Sequence, residues 1–183
     1  MRLLLGLSRG VDALNERCGR LAEWCILAAC AIAAANAMLR YGVNFSHNGW
    51  LEVQWYLFAA VVMLGAAHTL RLNGHVRVDV FYSSILNERG RVWLDVFGLL
   101  LFMLPAMALL AWMCWPFFLE SLVRHEVSPA PGGLLRWPVK LLMPAGFALI
   151  ALQGVSELVK RIAWLRGEAV PNLTLASTYR PDQ

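Results

Sequence analysis

Residues 92–119 read VWLDVFGLLLFMLPAMALLAWMCWPFFL, a run of 28 residues with one charged side chain, Asp95. A helix rises 1.5 Å per residue and needs about 20 residues to cross the hydrocarbon core of a bilayer. Pro105 and Pro116 interrupt the run. Inside a membrane helix such prolines free backbone carbonyls and bend the chain, and neighbouring helices compensate. The run therefore reads as a membrane span bracketed by Asp95 and Glu120. Working outward, three further apolar stretches occur at about 21–39, 50–70 and 138–165. With 59% hydrophobic and 15% charged residues, the 183-residue chain is expected to be a single all-α integral membrane domain over residues 1–183.

Charge placement predicts its sidedness. Of 16 Lys and Arg, four precede the first span (Arg2, Arg9, Arg17, Arg20) and four lie between the second and third (Arg71, Arg77, Arg89, Arg91). Four more follow the centre of the fourth (Lys160, Arg161, Arg166, Arg180), leaving Arg40, Arg124, Arg136 and Lys140 for the other side. By the positive-inside rule, both termini are expected in the cytoplasm. The net charge of +4 sits at helix ends, where anionic lipid headgroups account for it, and points to no nucleic-acid partner. The short apolar run after Met1 falls below a signal-peptide core and no small-x-small site follows, so an uncleaved first span is expected. Cys25, Cys30 and Cys114 lie within spans and Cys18 at an edge, which offers neither a disulfide framework nor a C-x-x-C motif.

Several residues are candidates for an interface with a partner subunit or with lipid. In the first span Cys25, Ala29, Ala33 and Ala37 recur every four residues, with Asn36 on nearly the same face. Small residues at that spacing let another helix approach, and a buried amide can bond across the contact. Alanine also fills positions 28, 31, 34 and 35, so composition is the alternative source of the stripe. The second span opens with Trp50, Glu52, Trp55 and Tyr56. The aromatics suit an interfacial belt, and a carboxylate at the rim of an apolar helix needs a partner or water. Arg71, Arg77 and Asp79 mark a loop in which Asn73-Gly74 signals a turn. After it, Val78, Phe81, Tyr82, Ile85 and Leu86 follow the spacing of a short interfacial amphipathic helix. The segment Ser128–Leu134 is rich in Pro and Gly and is expected to follow a defined path over water. Gln153, Glu157 and Arg161 stand four residues apart on the last span, acid before base.

Other chemistries fit poorly. A haem-carrying four-helix subunit needs paired histidines facing the interior, whereas His47, His75 and His125 fall in loops and only His68 is near a span. Nucleophile elbow, P-loop and H-E-x-x-H are missing from the sequence, so no catalytic, metal or cofactor-binding residues are assigned. An independent transporter should carry midplane ionisable groups and broken helices, but Glu23, Glu52, Asp95 and Glu157 lie toward span ends. A haem- or quinone-binding membrane anchor and an independent small transporter remain the alternatives to an accessory subunit.

The stretch Glu52-Val-Gln-Trp-Tyr-Leu, followed by Gly65-Ala-Ala-His-Thr-Leu-Arg-Leu-Asn-Gly-His-Val-Arg-Val-Asp79, resembles the small membrane subunit of tripartite ATP-independent periplasmic (TRAP) transporters, the DctQ-like family. Ser128–Leu134, Arg136-Trp-Pro-Val-Lys, Pro144-Ala-Gly-Phe and Leu152-Gln-Gly are similar to the branch labelled for mannitol or chloroaromatic compounds. The likeness covers about residues 15–165. It implies a bacterial cell inner-membrane protein of four helices with both ends inside, a 1:1 heteromer with a large membrane subunit, and a periplasmic substrate-binding protein as third component. It further implies sodium-coupled symport of an organic acid, with this subunit bracing the large one. The expected cargo is a carboxylate such as a 2-oxo acid or lactate rather than mannitol. The family carries no catalytic or sodium-binding residue over to this chain.

Overall fold

The computed structural model describes residues 2–45, 47–75, 87–130, 132–168, 170 and 173. Four long helices account for nearly all of them. They are α1 (Arg2–Gly42), α2 (Asn48–Arg71), α3 (Glu88–Val123) and α4 (Trp137–Leu165), and each is long and apolar enough to cross a membrane. The expected short amphipathic helix, with Arg77 and Asp79 before it, lies outside the described residues. Strand structure among the described residues is limited to one antiparallel bridge between Val127 and Leu135.

Local chemistry sets the helix ends. His47 caps α2 by accepting from the Gly49 amide through Nδ1, which satisfies one of the orphan donors of the first turn. Asn44, Asn73 and His125 adopt positive φ in the turns beyond α1, α2 and α3. Trp137-Pro138 opens α4, where the missing proline N–H would have had no partner anyway. Two features differ from the sequence expectation. The first helix does not begin near Leu21 but runs unbroken from Arg2. In α3 the disturbance caused by Pro105 is taken up one turn earlier, by a π-helical stretch over Gly98–Met103 in which the Leu104 amide donates to Leu99, five residues back. Widening the turn lets the helix pass a residue that has no amide to donate.

The helices run alternately up and down. One end of the bundle gathers the start of α1, the end of α2, the start of α3 and the end of α4. The other gathers the α1–α2 turn and the α3–α4 hairpin. Helix α4 packs against α1, α2 and α3, whereas α3 meets chiefly α4. Burial follows: a third of the apolar window of α4 is buried (33%), against 6% for α3. Glycines set the close contacts. A Cβ on Gly146 would stand 2.7 Å from the Cβ of Met63 on α2, and one on Gly19 of α1 would stand 2.5 Å from the His68 ring.

Candidate functional site

The chemically distinctive groups form two clusters, one at each end of the bundle. The first joins α1 to α4, and its α1 half is missing from the sequence reading. Asp12 lies one turn from Ser8 and from Asn15, so all three share one face of α1, which is turned toward α4. On α4, Gln153, Ser156, Glu157, Lys160 and Arg161 share the answering face. Lys160 Nζ lies 2.7 Å from Asp12 Oδ2 and 2.9 Å from Glu157 Oε1. Gln153 donates through Nε2 to Asp12 Oδ1 (2.9 Å) and accepts through Oε1 from Asn15 Nδ2 (2.7 Å). Ser156 donates to Asp12 Oδ1 at 3.0 Å and stands 2.6 Å from the Ser8 hydroxyl. Arg161 extends the cluster to α3, pairing with Glu157 (2.5 Å) and through Nε with Asp95 (3.1 Å). Asn15 and Gln153 are fully buried and Lys160 is 2% exposed. Charges so far from water require partners of opposite sign, and here each has one.

Arg71 closes the same end from α2. Its guanidinium donates to Glu16 Oε2 (3.0 Å) and to the Asp12 carbonyl (3.4 Å) on α1. Glu16 also pairs with Arg20 (2.7 Å). A cavity of about 230 Å³ opens beside Asp95, Glu157 and Arg161, walled by Leu70, Leu99 and Met103.

The second cluster ties the α3–α4 hairpin to α2. Glu52 is 4% exposed and accepts from the Ser128 hydroxyl (2.6 Å) and from the Leu134 amide (3.1 Å). The hairpin reaches this carboxylate because Gly132 lies directly on Gly49: an added Cβ would come within 2.8 Å of the Gly49 Cα. Backbone bonds from Ser128 to Leu134 (2.8 Å) and from Arg136 to Glu126 (2.9 Å) shape the loop. At its base Glu126 pairs with Arg136 and Lys140. Lys140 lowers the Glu126 carboxyl below its ordinary value, and its ammonium also lies 3.8 Å over the Phe117 ring.

Among the residues expected at an interface, the structure separates what spacing had grouped. Ala29 is buried within the bundle at 2% exposure, Ala33 faces outward, and Asn36 is half-buried with its Oδ1 enclosed and without a hydrogen-bond partner. Glu52 finds its partner in the hairpin, and Arg71 is engaged by α1. Arg77 and Asp79 lie outside the described residues. The periodicity of Gln153, Glu157 and Arg161 signalled one half of the first cluster. Nothing local signalled Asp12 and Asn15, whose partners are more than 130 positions away.

Four spanning helices clasped by buried polar groups at both ends define a multi-pass helical membrane protein. The chain belongs to the DctQ component family of the tripartite ATP-independent periplasmic transporters, whose family model matches residues 14–163. It is thus the small membrane component of such a transporter, located in the inner membrane, with a large membrane subunit and a periplasmic binding protein as its partners. No curated protein and no solved structure matches the chain significantly.

Proposed function

We propose that this chain is a brace that does not itself carry substrate. It holds the scaffold of the large membrane subunit, in a 1:1 heteromer, while that subunit moves an organic acid inward with sodium. The observation that supports this is the distribution of buried charge. Asp12, Glu157, Lys160 and Arg161 sit at one end of the bundle and Glu52 and Lys140 at the other. Asp12, Lys160, Arg161, Glu52 and Lys140 each hold one helix or loop to another, and Glu157 fixes Lys160 and Arg161 in place for those contacts, the use expected of a scaffold. The basic asymmetry of the sequence supports a cytoplasmic position for both termini. The Glu52-bound hairpin then faces the periplasm and presents a shaped surface to the binding protein. On the opposite face, Arg77 and Asp79 anchor the loop after α2 against lipid or the large subunit. Outward-facing Ala33 belongs to the subunit contact, whereas Ala29 serves the chain's own packing.

Reconstitution into liposomes with the binding protein supplies the test. Sodium-driven uptake is expected only when both membrane subunits are present, and native mass spectrometry should return one copy of each. Full-rate uptake by the large subunit alone, or uptake by this chain alone, would remove the brace.

A further inference from the structure

The groove between α1 and α2 holds a carboxylate that nothing in the bundle answers. Ala22 and Glu23 stand four and three residues before Ile26, so the three share one face of α1. With Val62, Gly65 and Ala66 of α2 they line a groove of about 320 Å³. Its floor is made of small residues: Ala22 is buried, and a Cβ added to Gly65 would lie 3.8 Å from the Ala22 Cβ. Ile26 and Val62 form exposed rims, and Glu23 is exposed between them. Among the described residues Glu23 forms no hydrogen bond or ion pair. Arg20 is within electrostatic reach, but its guanidinium is bonded to Glu16 at 2.7 Å.

The register of α1 against α2 sets the depth of that carboxylate. Arg71, the last residue of α2, bonds Glu16, and the chain then turns at Asn73, which has positive φ. Irregular backbone of that kind is not found against lipid within the hydrocarbon. Glu23 lies seven residues beyond Glu16, about 10 Å inward of that level at 1.5 Å per residue. A charge facing lipid at such a depth is costly and calls for a partner. A phospholipid ammonium stays in the headgroup layer, and the two methylenes of a glutamate do not close a gap of that size. A second copy of this chain has no cation to offer there. Residues 21–39, 50–70, 92–119 and 141–159 hold no Lys or Arg, and Lys140, at the other end of the bundle, is bound to Glu126.

We propose that a helix of the large membrane subunit lies in the α1–α2 groove and sets a Lys or Arg against Glu23. This rests on the reading that the chain braces that subunit, and deepens it by naming the surface and the pairing charge. The small residues of the floor let a helix approach closely, and the long stem of a basic side chain reaches Glu23 from a turn above or below. Ala33 stands seven residues beyond Ile26 on the same face and is also exposed, so the groove continues the subunit contact assigned to it.

A benzophenone amino acid at position 26 or 62 of the intact transporter tests the surface, and both positions should give adducts with the large subunit. Adducts only with lipid, only with a second copy or only within the chain would overturn the proposal. Co-purification of the two subunits in detergent tests the charge. Glu23→Gln should lower the recovered large subunit at least about tenfold. Glu23→Lys, which sets like charges together, should lower it further. Thermal unfolding of the isolated Glu23→Gln chain should show no loss, because the carboxylate bonds nothing inside it. Undiminished recovery, or a loss of the isolated chain's stability, would also overturn the proposal. If the wild-type subunits co-purify but neither position crosslinks to the large subunit, the groove is wrong and the brace stands. If they do not co-purify, both fall.

Discussion

The two clasps solve the same problem with different materials. At the α1–α4 end, buried carboxylates meet cations: Asp12 and Glu157 share Lys160, and Arg161 bridges Glu157 to Asp95. At the hairpin end, Glu52 is held by a hydroxyl and a peptide N–H. The first arrangement fixes helices against helices over a long reach of sequence. The second fixes a loop against the first turn of a helix. A buried ion pair is not in itself strong evidence of stability, since desolvation offsets attraction, but it is costly to break from one side. A carboxylate bound only by neutral donors leaves no opposite charge behind when it is removed. The two ends should therefore respond very differently to loss of a single partner.

The largest expected effect sharpens that contrast. Lys160→Met would leave Asp12 and Glu157 buried with one cation between them, at a cost of about 3–5 kcal/mol. Thermal unfolding in detergent, followed by tryptophan fluorescence, should show a large loss or no folded protein. Adding Asp12→Asn should recover part of it, because the orphaned charge is then removed and the amide can still bond Gln153 and Ser156. A Lys160→Met protein as stable as wild type would mean that water reaches the cluster, and the contrast between the ends would fail.

The same contrast explains what the sequence could and could not disclose. The four helices are legible because apolar length is a local property, and residues 50–70 and 138–165 lie within two residues of the observed α2 and α4. The need of Glu52 for a partner was legible from a carboxylate in an apolar helix. Its partner was not, since Ser128 is 76 positions away and only the fold brings it close. On α4, Glu157 and Arg161 reveal themselves by a spacing of four. Asp12 and Asn15 gave no sign, because their role depends on the register between α1 and α4. The length of α1 was hidden for the same reason. Its first half is polar enough to fail as a span, and is helical because α4 supplies partners for its polar face.

The second effect is intermediate. Glu52→Ala removes both hydrogen bonds to the hairpin, and bonds to a charged group contribute about 1.5–3 kcal/mol. Because no buried cation is orphaned, the helices should remain intact. Hydrogen exchange at the Leu134 amide should accelerate strongly while the amides of α2 beyond its first two turns keep their protection. Glu52→Gln should fall between, its one carbonyl oxygen satisfying part of what two carboxylate oxygens did. Loss of protection throughout α2 and α4 in the alanine variant would show that this end, too, holds helices rather than a loop.

The smallest effect belongs to the base of the hairpin. Glu126 and Arg136 are partly exposed, at 32% and 42% of the side chain, so water and salt screen the pair. The direction is nevertheless fixed by Lys140, which lowers the Glu126 carboxyl below its usual value of 4.5. A carboxyl depressed in the folded state contributes stability above the unfolded value, and that contribution disappears as pH falls through the folded one. Hydrogen exchange at the Ser128 and Arg136 amides, corrected for the intrinsic pH dependence of exchange, should thus be unchanged from pH 7 to 5. Below 4.5 their protection should decline. Glu126→Gln should lower protection at pH 7 and flatten the decline, which separates Glu126 from other carboxylates titrating nearby. An identical pH profile in the variant would place the acid sensitivity elsewhere, with Glu52 the first residue to test, and would make the hairpin end depend on one carboxylate instead of two.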